Sequence, residues 1–187
     1  MQRKPKLREL TVTCSDGSSD TYVGLNPDTD PADKVQAFVN CFRNAAYYAS
    51  SLCLDLPPKL ILAQWGGESG WATGSYQKTN QNWANLVYTN PNNPPGNEGP
   101  GVGGWAKFCG RNKHAYGYGN FFDKDINPIY SELIDYLVWC QIKGVTPSEY
   151  TCARFIADAG YGGPDHDAYY NNLVAWMDTL CNLSDFC

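Results

Sequence analysis

The chain is predicted to fold as one mainly helical (α+β) domain with a small loop or β-hairpin lobe, stapled by disulfides. Three observations lead there. Apolar residues recur at helical spacing in several stretches, an Asn-, Pro- and Gly-rich segment full of aromatic rings interrupts them, and eight cysteines are scattered along the chain. A length of 187 residues suffices for one well-buried core and is too short for two ordinary enzyme domains. Residues 1–30 read as an irregular arm and residues 31–187 as the domain.

The elements follow in order. Turn chemistry at Ser15-Asp16-Gly17-Ser18 and Asn26-Pro27-Asp28 makes the arm irregular, with Cys14 available to tie it down. Asp30 can cap a first helix with Pro31 at its first position, and Val35, Phe38, Val39, Phe42, Ala46, Ala49 and Leu52 form its inner face. A second helix opens after Pro57-Pro58 and is nearly apolar all round, hence buried, with Gly66-Gly67 expected to loosen it. Between Asn82 and Phe122 lies the aromatic loop excursion. Helices resume near Pro128, stop at Gly144, restart with a Thr146-Pro147-Ser148-Glu149 capping box, stop at Gly160, and end with a helix from Asp165 that carries Tyr169, Leu173, Trp176, Met177 and Leu180. About five helices are expected, with no internal repeat.

Composition excludes several classes. Net charge is −5, so the dense Lys and Arg that drive counterion release from nucleic acid are missing. No run of about 18 apolar residues exists to cross a bilayer, so membrane insertion is not expected. The cysteines contain no C-x-x-C pair of the zinc or redox kind, which favours up to four disulfides in an oxidising compartment, extracellular or periplasmic, without fixing their pairing. The start is basic (Arg3, Lys4, Lys6, Arg8) but lacks the apolar stretch of a signal peptide, and a removed signal is expected.

The most informative segment runs from Leu62 to Ser75. Glu68 follows a buried helix and is flanked by Gly and Trp, so lost hydration and the negative helix end both raise its pKa. A carboxylic acid that keeps its proton among aromatic rings suits protonation of a glycosidic oxygen, or it is a structural partner where helix meets loop. Ser69 lacks the final Gly of a nucleophile elbow, and no P-loop or H-E-x-x-H run occurs, so no cofactor or metal is expected. His114 and His166 have no partner cluster and are expected at the surface, and the sequon at Asn182 is a weak three-residue match.

Leu62-Ala63-Gln64, then Glu68-Ser69-Gly70-Trp71 and Ser75, resemble the signature of glycoside hydrolase family 73, bacterial N-acetylglucosaminidases and flagellar-rod muramidases. Asn85-Leu86-Val87-Tyr88, Phe121-Phe122-Asp123 and Ala159-Gly160-Tyr161 through Tyr169 resemble later blocks of the family in the same order, from about Leu56 to Leu180. The resemblance implies a lysozyme-like domain, with Glu68 as general acid and Tyr161 as the active-site tyrosine. The family carries a second acid in its hairpin lobe, for which Glu98 is the candidate, with Asp123 and Asp125 as runners-up. Trp71, Asn85, Tyr88, Trp105 and Tyr116 are candidate sugar contacts or core filler. The implied protein is a secreted, monomeric peptidoglycan hydrolase acting as an endo-β-N-acetylglucosaminidase on peptidoglycan or another N-acetylglucosamine glycan. A lytic transglycosylase and a catalytically silent glycan-binding module are the alternatives.

Overall fold

The computed structural model describes residues 8–24 and 31–187. The basic residues before Arg8, the Asn26-Pro27-Asp28 turn and the Asp30 cap lie outside the described residues. The part of the arm that is described is regular. Strands β1 (Arg8–Thr13) and β2 (Ser19–Gly24) pair antiparallel, with Thr11 opposite Thr21 and their hydroxyls 2.9 Å apart. The turn residues from Cys14 to Ser18 therefore close a hairpin.

Helix α1 (Pro31–Leu52) buries its expected face, Val35, Phe38, Val39, Phe42, Ala46 and Ala49. It packs on α2 (Pro58–Ser69), the buried centre of the domain, in which Leu60 to Gly66 are all inaccessible to solvent. The glycines do not loosen α2. A β-carbon on Gly66 would meet the Trp71 ring at 2.3 Å and one on Gly67 the Trp176 ring at 2.0 Å. Their bare backbone is the bed on which two indoles lie, and that close packing offsets the helix-breaking tendency of about 1 kcal/mol per glycine.

The chain leaves α2 by an unusual turn. Gly70, Trp71 and Ala72 are all left-handed, with φ of 58°, 58° and 63°, a conformation costing a residue with a side chain about 1–2 kcal/mol. Ser69 holds it. Its buried hydroxyl donates to the Trp65 carbonyl (2.6 Å) and accepts from the Ala72 amide (2.9 Å), while the Trp71 amide reaches the Gly66 carbonyl at 2.6 Å. The turn swings Trp71 back onto Gly66.

A short helix α3 (Ser75–Asn80) precedes the expected loop excursion, which itself contains helix α4 (Gly110–Phe121). Helix α4 carries several glycines and shows little apolar periodicity, so propensity hid it. It exists because it packs on α1: a β-carbon on Gly119 would lie 2.7 Å from the Ala49 carbonyl oxygen, a closeness only glycine permits. Between these helices the chain is irregular, pinned by buried Asn82, whose amide donates to the Leu86 and Ala106 carbonyls and accepts from the Leu86 amide. Only isolated bridges such as Val87 to Trp105 occur here, and the described sheet is the N-terminal hairpin.

Helix α5 (Ser131–Lys143) stops at left-handed Gly144, as expected. Helix α6 (Glu149–Asp158) is capped by Ser148, which accepts from the Thr151 amide, and Thr146 is not the cap. Asp165 caps α7 (His166–Leu183) by accepting from the Ala168 amide at 2.9 Å. The domain is thus helical and disulfide-stapled, with α7 covering α2 and α6 beside it.

Two disulfides close, Cys14–Cys109 and Cys181–Cys187. The framework of up to four bridges is corrected: Cys41, Cys53, Cys140 and Cys152 are free thiols. The last three are buried and behave as small apolar side chains. Burial pushes the Cys53 thiol up to about 12, which removes the thiolate that disulfide exchange requires.

Candidate active site

Helices α2 and α7, the loop after α6 and the segment after α3 meet at a cleft of about 480 Å³. Glu68, in the last turn of α2, lies in it with Asn85, Trp105, Tyr161, Tyr169 and Trp176. Both Glu68 oxygens are held. The Tyr169 hydroxyl donates to Oε1 at 2.7 Å, and Asn85 Nδ2 donates to Oε2 at 2.7 Å. Asn85, left-handed at φ 54°, is itself oriented by Gln77, whose Nε2 donates to its Oδ1 at 2.6 Å. Behind Tyr169, Gln64 Nε2 donates to the phenol oxygen at 2.8 Å, and the Tyr118 hydroxyl donates to Gln64 Oε1.

Burial pushes the Glu68 carboxyl above its ordinary 4.5, and the hydrogen bonds from Tyr169 and Asn85 oppose the rise without cancelling it. Neither donor is charged. Such a carboxyl holds its proton to a higher pH than an exposed one and is still an acid when an oxygen that needs a proton arrives in the cleft.

The structure brings some of the expected site residues together and leaves others apart. Glu68, Asn85, Trp105 and Tyr161 share the cleft. The Tyr161 hydroxyl is spent on the Ala84 carbonyl at 2.6 Å, so Tyr161 presents its ring, stacked on Tyr169 at 5.9 Å between centroids. The phenol that touches Glu68 is Tyr169. Glu98 does not line the cleft; it is exposed and accepts from the Ser15 hydroxyl at 3.2 Å, beside the N-terminal hairpin. Asp123 and Asp125 are exposed in the turn after α4. Trp71 packs on Gly66 and edge-on to Phe38, half-buried Tyr88 is tied by its amide to Gly104, and Tyr116 lines a separate hollow with Tyr48 and Lys113. None of these three lines the Glu68 cleft.

Sequence reasoning missed Tyr169, Asn172 and Trp176 as site residues. Their spacing of three and four puts them on one face of α7, but the two rings counted there as core. His114 is also corrected: it is not at the surface but fully buried, 4.6 Å from Trp65 between ring centroids, with neither ring nitrogen hydrogen-bonded. Burial lowers its pKa to about 3. His166 is half-buried at the start of α7. Among the described residues, no group of three or more His, Cys, Asp or Glu is placed to hold a metal ion, and no helix is long and apolar enough to cross a membrane. No family model, curated protein or solved structure matches the chain.

Proposed function

We propose that the chain cleaves β-1,4 glycosidic bonds in an N-acetylated wall glycan such as peptidoglycan, with Glu68 as the general acid. The observation that supports this best is Glu68 itself: a buried carboxyl with a raised pKa, gripped by two neutral donors, in a cleft with Trp105, Trp176 and Tyr161. Indole and phenol rings offer flat apolar area for sugar faces, and the acid protonates the leaving oxygen as its bond to the anomeric carbon breaks. The substrate class comes from the family 73 resemblance of Leu62–Ser75. Two disulfides accord with a secreted enzyme working in an oxidising compartment.

One observation favours a second reading of the later step. Among the described residues Glu68 is the only carboxylate lining the cleft, so no second carboxylate stands there to activate water opposite it. The anomeric carbon is then attacked by a group of the substrate. If the N-acetyl oxygen attacks, water later opens the ring it forms and hydrolysis results. If the C6 hydroxyl attacks, its proton returns to the Glu68 carboxylate and a 1,6-anhydro sugar forms without water, which is lytic transglycosylation. Mass spectrometry of fragments released from purified peptidoglycan tests both. Reducing ends on N-acetylglucosamine support the glucosaminidase; anhydro ends, lighter by one water, support the transglycosylase. Absence of any cleaved product returns the cleft to a silent glycan-binding role.

A further inference from the structure

We infer that Gln64 and Tyr118 are positioning residues for Glu68: the chain Tyr118–Gln64–Tyr169 makes the Tyr169 hydroxyl a one-way donor to Oε1, which keeps the acid proton out of the interior and free for the cleft. The inference rests on the proposed role of Glu68.

A phenol has one hydrogen that rotates freely, and it both donates and accepts. Beside a protonated carboxyl, an unconstrained Tyr169 can accept the acid's hydrogen instead of donating its own, and the proton needed by the leaving group would then point into the protein. Gln64 opposes this. Its Nε2 already donates to the Tyr169 oxygen at 2.8 Å, so the single Tyr169 hydrogen is left to Glu68. Gln64 could in principle turn its amide end for end and reverse the chain. Tyr118 prevents it: its fully buried hydroxyl makes one hydrogen bond, to Gln64 Oε1. With the amide reversed, Nε2 would face that hydroxyl and the Tyr118 hydrogen would have no acceptor, at the usual cost of a buried unmade hydrogen bond. Each donor in the chain thus has one place to point, and the direction runs from the core outward to Glu68.

Among the described residues no charged side chain lines the cleft beside Glu68. The groups facing Glu68 are Asn85, Tyr161, Tyr169 and Trp176. The titratable groups around the inner end are His114, packed on Tyr118 at 6.3 Å, and Cys53, Tyr130 and Cys152, which act on Tyr118. Burial keeps every one of them neutral near neutral pH, the imidazole by lowering and the thiols and phenols by raising.

The test is a ¹³C NMR titration of the Glu68 carboxyl, assigned by its loss in Glu68→Gln, in the native chain and in Gln64→Met and Tyr118→Phe. Both variants let Tyr169 accept from the protonated acid while it still donates to the anion, which favours the neutral form, so the Glu68 midpoint rises, by about half to one pH unit in Gln64→Met and less in Tyr118→Phe. On purified peptidoglycan, kcat of Gln64→Met falls about tenfold with KM within about twofold, and the basic limb of the pH profile moves up with the midpoint. Tyr118→Phe removes a single hydroxyl and keeps the test open should Gln64→Met not fold. A midpoint unmoved in folded variants overturns the inference, because a merely structural role changes melting and not titration. A native chain that leaves the glycan intact, or a Glu68→Gln variant that still cuts it, overturns the enzyme reading instead, and the NMR titration still decides the chain's direction.

Discussion

Asp20 and Glu68 are both carboxylates taken partly out of water, and the protein drives them in opposite directions. At Asp20, in β2, burial raises the pKa, but Arg111 overrides it and the net shift is downward. The Arg111 guanidinium and amide contact both Asp20 oxygens at 2.6 to 3.2 Å, while Nη1 donates to the Cys41 carbonyl and Nη2 also to the Thr21 carbonyl. At Glu68 burial also raises the pKa, the only opposing groups are a phenol and an amide, and burial wins. Desolvation is common to both sites, and a full counter-charge decides the sign. The first site is a latch that fastens the N-terminal hairpin to α4. The second is an acid kept short of charge, and keeping it so is useful only if the proton has somewhere to go.

The largest effect expected from breaking this contrast is on activity. Glu68→Gln keeps the shape and removes the transferable proton, so glycan cleavage falls by about a hundredfold or more. Turnover assays on purified peptidoglycan measure it, and a variant within about threefold of native would show that another group is the acid. The next effect is on stability. Replacing Cys14 and Cys109 by Ala opens a loop with a sequence separation of 95, for which about 4 kcal/mol is expected by denaturant unfolding. Asp20→Asn costs about 2 kcal/mol, since charge-assisted hydrogen bonds are lost from a partly buried pair.

The pH dependence sharpens the comparison further. Asp20 stabilises the fold above its ordinary 3.8, and that contribution is lost as pH falls through the lower folded value, so native and Asp20→Asn stabilities converge in acid. Glu68 has the reverse sign: its folded pKa lies above 4.5, so it weakens the fold as pH rises from there through the raised value. In melting curves against the native chain both differences grow as pH rises: Asp20→Asn falls below the native chain as pH climbs to 3.8, and Glu68→Gln gains on it as pH climbs above 4.5. A further effect, which grows as the medium is made more acid, belongs to His114, whose folded pKa is lowered from 6.5 to about 3. Below 6.5 the unfolded chain takes up a proton that the folded one refuses, and stability falls by about 1.4 kcal/mol per pH unit. His114→Leu should flatten that slope; an unchanged slope would assign it to other groups.

Much of this molecule was legible beforehand, for reasons that can be named. Helices α1, α2, α5 and α7 show in the sequence because an apolar face or an apolar core recurs over many residues with Pro or Gly at the ends. Helices α3 and α4 and the β1–β2 hairpin do not, because their order comes from partners distant in the chain: Arg111 for Asp20, Ala49 for Gly119, Cys109 for Cys14. Glu68 was legible because it stands at the end of an apolar helix within a Gly- and Trp-rich stretch, where loss of hydration is expected. Tyr169 was not, since it lies a separation of 101 from the carboxyl it serves and its ring also fills the core. The cysteine count suggested more bridges than close, because a buried thiol and a paired one look alike in a sequence.

The bridge between Cys14 and Cys109 also bears on the order in which the chain is made and secured. Both strands of the hairpin emerge long before their anchors, as the sequence separation of 95 implies. Until Cys109 and Arg111 arrive, the hairpin has neither covalent nor ionic purchase, and an isolated two-stranded ribbon is marginal in water. The hairpin is therefore made before α4 and secured only after it. An oxidant that acted early would find Cys14 beside Cys41 and Cys53 and no Cys109, so correct pairing favours late oxidation, after α4 has docked on α1.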